Sequence, residues 1–79
     1  MEWKTFRKKY GLHDKVGIYE YTLKLLEDAR LPKYASQSKL KTILKLQELR
    51  DILPKTEYSI KYKEAIDIRI LKFNQKVIN

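Results

Sequence analysis

Cysteine is absent, so neither a disulfide nor a thiolate metal site can form. The absence fits a reducing compartment. Histidine occurs once, at His13, which rules out a histidine-based metal cluster. Gly11 and Gly17 are the only glycines and stand apart, so no Gly-rich phosphate loop exists. Repeats, low-complexity tracts and linkers are missing too. No apolar run approaches the roughly 18–20 residues needed to span a bilayer. The opening "MEWKTFRKKYG" carries charges where a signal peptide needs a continuous apolar stretch. A soluble, cytoplasmic protein is expected, with no membrane partner and no cofactor.

What is present is one domain's worth of chain, residues 1–79, with 43% hydrophobic residues. That content is ample for folding, although a chain this short buries only about 60% of its unfolded surface. The formal net charge is +8, which favours polyanionic partners. Its distribution is uneven. Residues 16–32 are nearly neutral, while the stretches on either side are cationic. Abundant Lys, Ile and Tyr suggest an AT-rich genome, that of a Gram-positive bacterium or its phage.

Punctuation divides the chain into four helical segments. Trp3, Phe6 and Tyr10 share one face of the first, about residues 2–10, and Gly11 suits its left-handed stop, with Leu12 folding back. Asp14 is the expected N-cap of the second, which ends before Pro32. Val16, Tyr19, Leu23 and Leu26 form one apolar stripe on it. Ile18, Tyr21, Leu25 and Ala29 form another, and the two together place this helix at the centre of the fold. Gly17 reads as a close packing point. Tyr10, Tyr19, Tyr21, Tyr58 and Tyr62 fall on apolar stripes and are expected in the core.

The third segment is capped by Ser36 or Ser38 and stopped by Pro54. Its apolar residues recur every third position from Leu40 through Ile43, Leu46, Leu49 and Ile52, so the stripe drifts around the helix. Two solutions stand: a kink near Lys45, or halves packed on different neighbours. Leu40, Ile43 and Leu44 are expected to face the core, and Leu46 and Leu49 either complete it or face a partner. Thr56 caps the fourth segment, with Glu57 in its first turn. Tyr58, Tyr62, Ile66, Ile70, Phe73 and Val77 form its stripe. A strand reading of residues 58–70 competes, but pattern and length favour the helix. Ile60, Ile68, Leu71 and Ile78 lie off this stripe.

An aromatic start in Trp3 and Phe6, a helix opening with Asp14 and Gly17, and Asp28 followed by Leu31, Pro32, Lys33 and Ser36 resemble the YozE-type sterile-alpha-motif-like small proteins. Leu31 stands where those proteins carry an aromatic, and their surfaces are often acidic. The resemblance implies a bundle of short helices with a long C-terminal one. It also implies, by fold analogy alone, association with proteins, RNA or DNA. The expected fold class is therefore all-α: a compact bundle of four to five short helices with a long C-terminal helix, SAM-like.

Catalytic constellations are not evident. His13 reads as an exposed loop residue, and Glu27/Asp28 and Glu64/Asp67 are spaced like ordinary surface residues, so no enzyme is expected. The basic residues carry the signal. Arg7, Lys8 and Lys9 cluster with Lys4, and Lys33, Lys39, Lys41 and Lys45 surround the start of the third helix, with Tyr34 able to stack on a base. Lysine heavily outnumbers arginine, which suits phosphate contact more than base readout. Two functions follow from the residues. One is a nucleic-acid-binding accessory protein gripping the phosphate backbone. The other is a protein–protein module, homodimeric or docked on an acidic partner, with Leu46, Leu49, Ile68 and Leu71 as contacts.

Overall fold

Gly11 has a φ of +64°, a backbone state that costs L-residues and not glycine. It ends α1 (Trp3–Lys9). Leu12 N–H donates to the Arg7 carbonyl at 2.9 Å and Gly11 N–H to the Lys8 carbonyl at 3.3 Å, the paired bonds of a Schellman stop. Leu12 then packs against the core, as its position predicts. The computed structural model describes residues 2–30 and 36–78, the side chains of 36–38 and 76–78 excepted.

The chain next makes a turn where a helix start is expected. Val16 N–H donates to the His13 carbonyl, and His13 Nδ1 accepts the Lys15 N–H, each at 3.1 Å. His13 thus closes a small turn that holds Asp14 upstream of the helix. α2 spans Ile18–Arg30. Its first bond runs from Tyr21 N–H to the Gly17 carbonyl at 3.0 Å, so Gly17 takes the cap position assigned to Asp14. Nothing lies within 4 Å of where a Gly17 Cβ would sit, so this glycine is not a packing point.

α2 buries Tyr21, Thr22, Leu25 and Leu26, with Ile18, Tyr19 and Ala29 at the edges. Leu23 is exposed, contrary to its place on an expected stripe. The buried arc is centred on Leu25 and Ala29, and Leu23 falls past its margin at 100° per residue. Thr22 sits fully buried within that arc because its hydroxyl donates to the Ile18 carbonyl at 2.7 Å.

α3 (Ser36–Ile52) runs unbroken and packs on both α2 and α4. The two-neighbour solution is the one realised, but not with the halves assigned above. Leu46 and Leu49 are at 0% exposure, whereas Leu44 is at 50% and Leu40 is also exposed. Ile43, Leu46, Leu49 and Leu53 together occupy an arc of only about 120°, which two flanking helices can cover. Leu40 and Leu44 lie on the far side of that arc. Leu46 and Leu49 are therefore core residues and not partner contacts.

Thr56 caps α4 (Glu57–Ile78). Its Oγ1 accepts the Ser59 N–H at 3.3 Å and its hydroxyl donates to Ser59 Oγ at 3.2 Å. Residues 57–78 are α-helical throughout, and no strand occurs among the described residues. Ser59, Tyr62 and Ile66 are buried, with Ile70 and Phe73 half-buried below them. Tyr58 is half exposed and so falls outside the expected core. Its hydroxyl meets that of Tyr62 at 3.1 Å, and its ring packs edge-on to Tyr19. Buried Ser59 shares a hydrogen bond of 2.7 Å with the Tyr19 hydroxyl.

α1 lies across this three-helix arrangement as an aromatic clasp. Trp3 stacks on Phe6 at 5.4 Å, and both rings contact Tyr21 of α2. The Trp3 Nε1–H donates to the Val16 carbonyl at 3.2 Å. The molecule measures 37 × 28 × 18 Å, about two helix diameters thick. Among the described residues no helix is long and apolar enough to cross a membrane.

Candidate functional site

The C-terminal end of α1 meets the middle of α3 at Tyr10. The Phe6 ring lies 4.6 Å from the Tyr10 ring and fixes its inner side. The outer side faces two cations from different helices. Lys9 Nζ stands 5.2 Å from the ring centroid and Lys45 Nζ 4.9 Å, within cation–π range. The Tyr10 hydroxyl donates to Glu48 Oε2, and Lys9 Nζ contacts Glu48 Oε1 at 2.5 Å. Glu48 thus uses both oxygens to hold α1 against α3.

The charges of this cluster reinforce one another. The Lys9 hydrogen bond, then that of Tyr10, holds the Glu48 carboxyl below the ordinary carboxylate range. The bond to Glu48 raises Lys9. Burial, then the same carboxylate, pushes the Tyr10 phenol up. Near neutral pH the cluster is accordingly a carboxylate, an ammonium and a neutral phenol.

Around it lie cations with no such partner. Among the described residues, the ion pairs of basic side chains other than Lys9 are Arg30–Glu27 at 3.7 Å and Arg50–Asp67 at 2.7 Å, with His13 close to Asp14. Lys4 and Lys8 are exposed one turn apart on α1. Arg7 is half-buried, and its Nε is covered without a hydrogen-bond partner. Lys41 is exposed one turn before Lys45 on α3. The fold therefore brings the basic end of α1 to Lys41 and Lys45, two groups separated by about thirty residues of sequence.

Other expected site residues go elsewhere. Lys33 and Tyr34 lie outside the described residues. Lys39 projects about 160° away from Lys41 around α3, toward Arg69 and Lys72 of α4. Ile68 and Leu71 are exposed, at 51% and 58%. Sequence reading missed Glu48 as the organiser of the α1–α3 joint. An acid among lysines is an ordinary surface pattern until the fold places it beside Tyr10. His13 is exposed and engaged in its own turn, and no group of three or more possible metal ligands occurs among the described residues.

Comparison with models of known protein families, with curated proteins and with solved structures finds no significant match to this chain.

Proposed function

We propose that this chain is a small non-enzymatic accessory protein of the cytoplasm that binds nucleic acid through the α1–α3 face. The observation that carries the reading is the convergence of Lys9 and Lys45 on the Tyr10 ring, with Lys41 exposed one turn before Lys45 and with Lys4, Arg7 and Lys8 on the same short helix as Lys9 and without an ion pair among the described residues. Lysines in this setting neutralise phosphates and release counterions, and they carry little base identity. Lys33 and Tyr34 are assigned to this surface by sequence alone, whereas Lys39, about 160° from Lys41 around α3, does not join it. The order of four helices supports reading the fold as SAM-like, with α4 as its long C-terminal helix.

Fluorescence anisotropy with labelled DNA and RNA across a salt series tests this. Replacement of Lys41 and Lys45 together by alanine should weaken binding about tenfold at low salt. It should also reduce the slope of log K against log salt by roughly 1.4 to 1.8, the share of two phosphates. An affinity and slope unchanged in that variant would refute the assignment.

A second reading rests on a different observation. Ile60, Ile68 and Leu71 lie exposed along one side of α4, and Leu23 of α2 lines a groove with Ile68. Such a strip suits a protein partner or a second copy of this chain. Leu46 and Leu49, being buried, take no part in it.

A further inference from the structure

The cluster formed by Lys39, Arg69 and Lys72 lines a cavity of about 240 Å³ where the end of α2, the start of α3 and the second half of α4 meet. Ala29, Ile43 and Phe73 supply apolar wall, and Gln75 adds an amide. Three cations from two helices face one space, and none of them has an acidic partner among the described residues. The nearby Glu27 is engaged by Arg30 at 3.7 Å. Arg69 Nε is covered from solvent and makes no hydrogen bond. Covered in this way, Nε is closed to a ligand, so the terminal nitrogens of the guanidinium are the donors left for an oxyanion in the cavity.

We propose that this cavity binds a phosphate monoester carried on a small apolar or aromatic body. Arg69 supplies the planar fork, and Lys72 and Lys39 supply point charges for a dianion. Phe73, Ile43 and Ala29 receive the carbon framework. The volume corresponds to about eight waters, enough for a phosphate group and one ring. A lone carboxylate would leave much of the positive charge unmet, and an apolar ligand would bury the cations unpaired. The site deepens the polyanion reading but is separate from it, because Lys39 and Lys41 point to different sides of α3. Its phosphate has two sources, a free phosphorylated metabolite or the terminal phosphate of a nucleic-acid strand.

Phenyl phosphate is the first probe, titrated into the full chain and followed by amide chemical shifts. Shifts should centre on Lys39 and on Arg69 to Gln75, and phenol should not reproduce them. Arg69→Gln and Lys72→Ala should each weaken binding about tenfold. Lys72 is exposed, so its variant tests the site even if Arg69→Gln unfolds. Affinity should fall as pH drops through about 6, where the monoester dianion takes up a proton and becomes a monoanion. The Lys41/Lys45 double variant should bind phenyl phosphate normally, which separates failure of this site from failure of the α1–α3 face. Tighter binding of a 5′-phosphorylated oligonucleotide than of its 5′-hydroxyl form, lost in Lys72→Ala, would identify a strand end. Binding of the free ester alone would identify a metabolite. Absence of shifts at about 10 mM phenyl phosphate, or shifts unaltered in Lys72→Ala, would overturn the proposal.

Discussion

Glu48 accepts hydrogen bonds from Lys9, the last residue of α1, and from Tyr10, which caps it, and its carboxyl is depressed by Lys9 first and Tyr10 second. The folded state therefore prefers the carboxylate more than the unfolded chain does. The stabilisation is present above about pH 4.5 and is lost as pH falls through the depressed value. On the alkaline side, Lys9 and Tyr10 are both raised, so their contribution is present below their ordinary values and lost as pH climbs past them. Glu48→Gln should lower the melting temperature by a few degrees at neutral pH, a modest effect because the pair is largely solvated. That deficit should narrow between about pH 6 and about pH 3 as the wild type begins to lose its own carboxylate. Thermal melts monitored by circular dichroism at both values check this. A deficit unchanged by pH would show that Glu48 acts by packing alone. None of it was legible in the sequence, since Tyr10 and Glu48 are 38 positions apart.

Helix α3 poses the sharper question of how a stripe with period three is buried. Leu46→Ala should cost about 2–5 kcal/mol, a large share of the roughly 5–15 kcal/mol that holds a small domain. Leu44→Ala should stay within about 0.5 kcal/mol. Urea denaturation of both variants makes the comparison, and similar midpoints would contradict the placement of α3. The helices themselves were readable because their stops are local chemistry. Gly11 ends α1, Pro54 follows α3, and Thr56 caps α4 with a bond to Ser59. The start of α2 was misread because Asp14 has the right side chain, while His13 and Lys15 use the same residues to build a turn. Which half of α3 faces inward was also hidden. Periodicity gives the faces of a helix but not the positions of two neighbours. Thr22 and Ser59 escaped notice as core residues because type alone makes them polar, and their burial is made tolerable by hydrogen bonds, a local one to the Ile18 carbonyl for Thr22 and those with Thr56 and the distant Tyr19 for Ser59.

At the scale of the whole molecule, the exposed cations and the exposed apolar side chains of α4 act in opposite directions. The net charge of +8 opposes self-association, while exposed Ile60, Ile68 and Leu71 favour it. If the α4 strip is an interface between copies, raised salt should promote dimers and Leu71→Lys should abolish them. Light scattering across concentration and salt measures this, and a monomer under all conditions would leave the strip to a different protein. The cationic charge total was readable from the sequence. The division of the lysines was not, because residues two apart on α3, Lys39 and Lys41, serve opposite sides.

The indole of Trp3 is the chain's only one, and it sits in the clasp, stacked on Phe6 and tied to the Val16 carbonyl. Far-ultraviolet circular dichroism is dominated by α2, α3 and α4, whose 13, 17 and 22 residues dwarf the seven of α1. Intrinsic emission and dichroism consequently watch different parts of one small protein. The first follows a single joint and the second the body it closes on. Release of α1 would register as a spectral shift in a molecule whose remaining helices still stand, with no label attached.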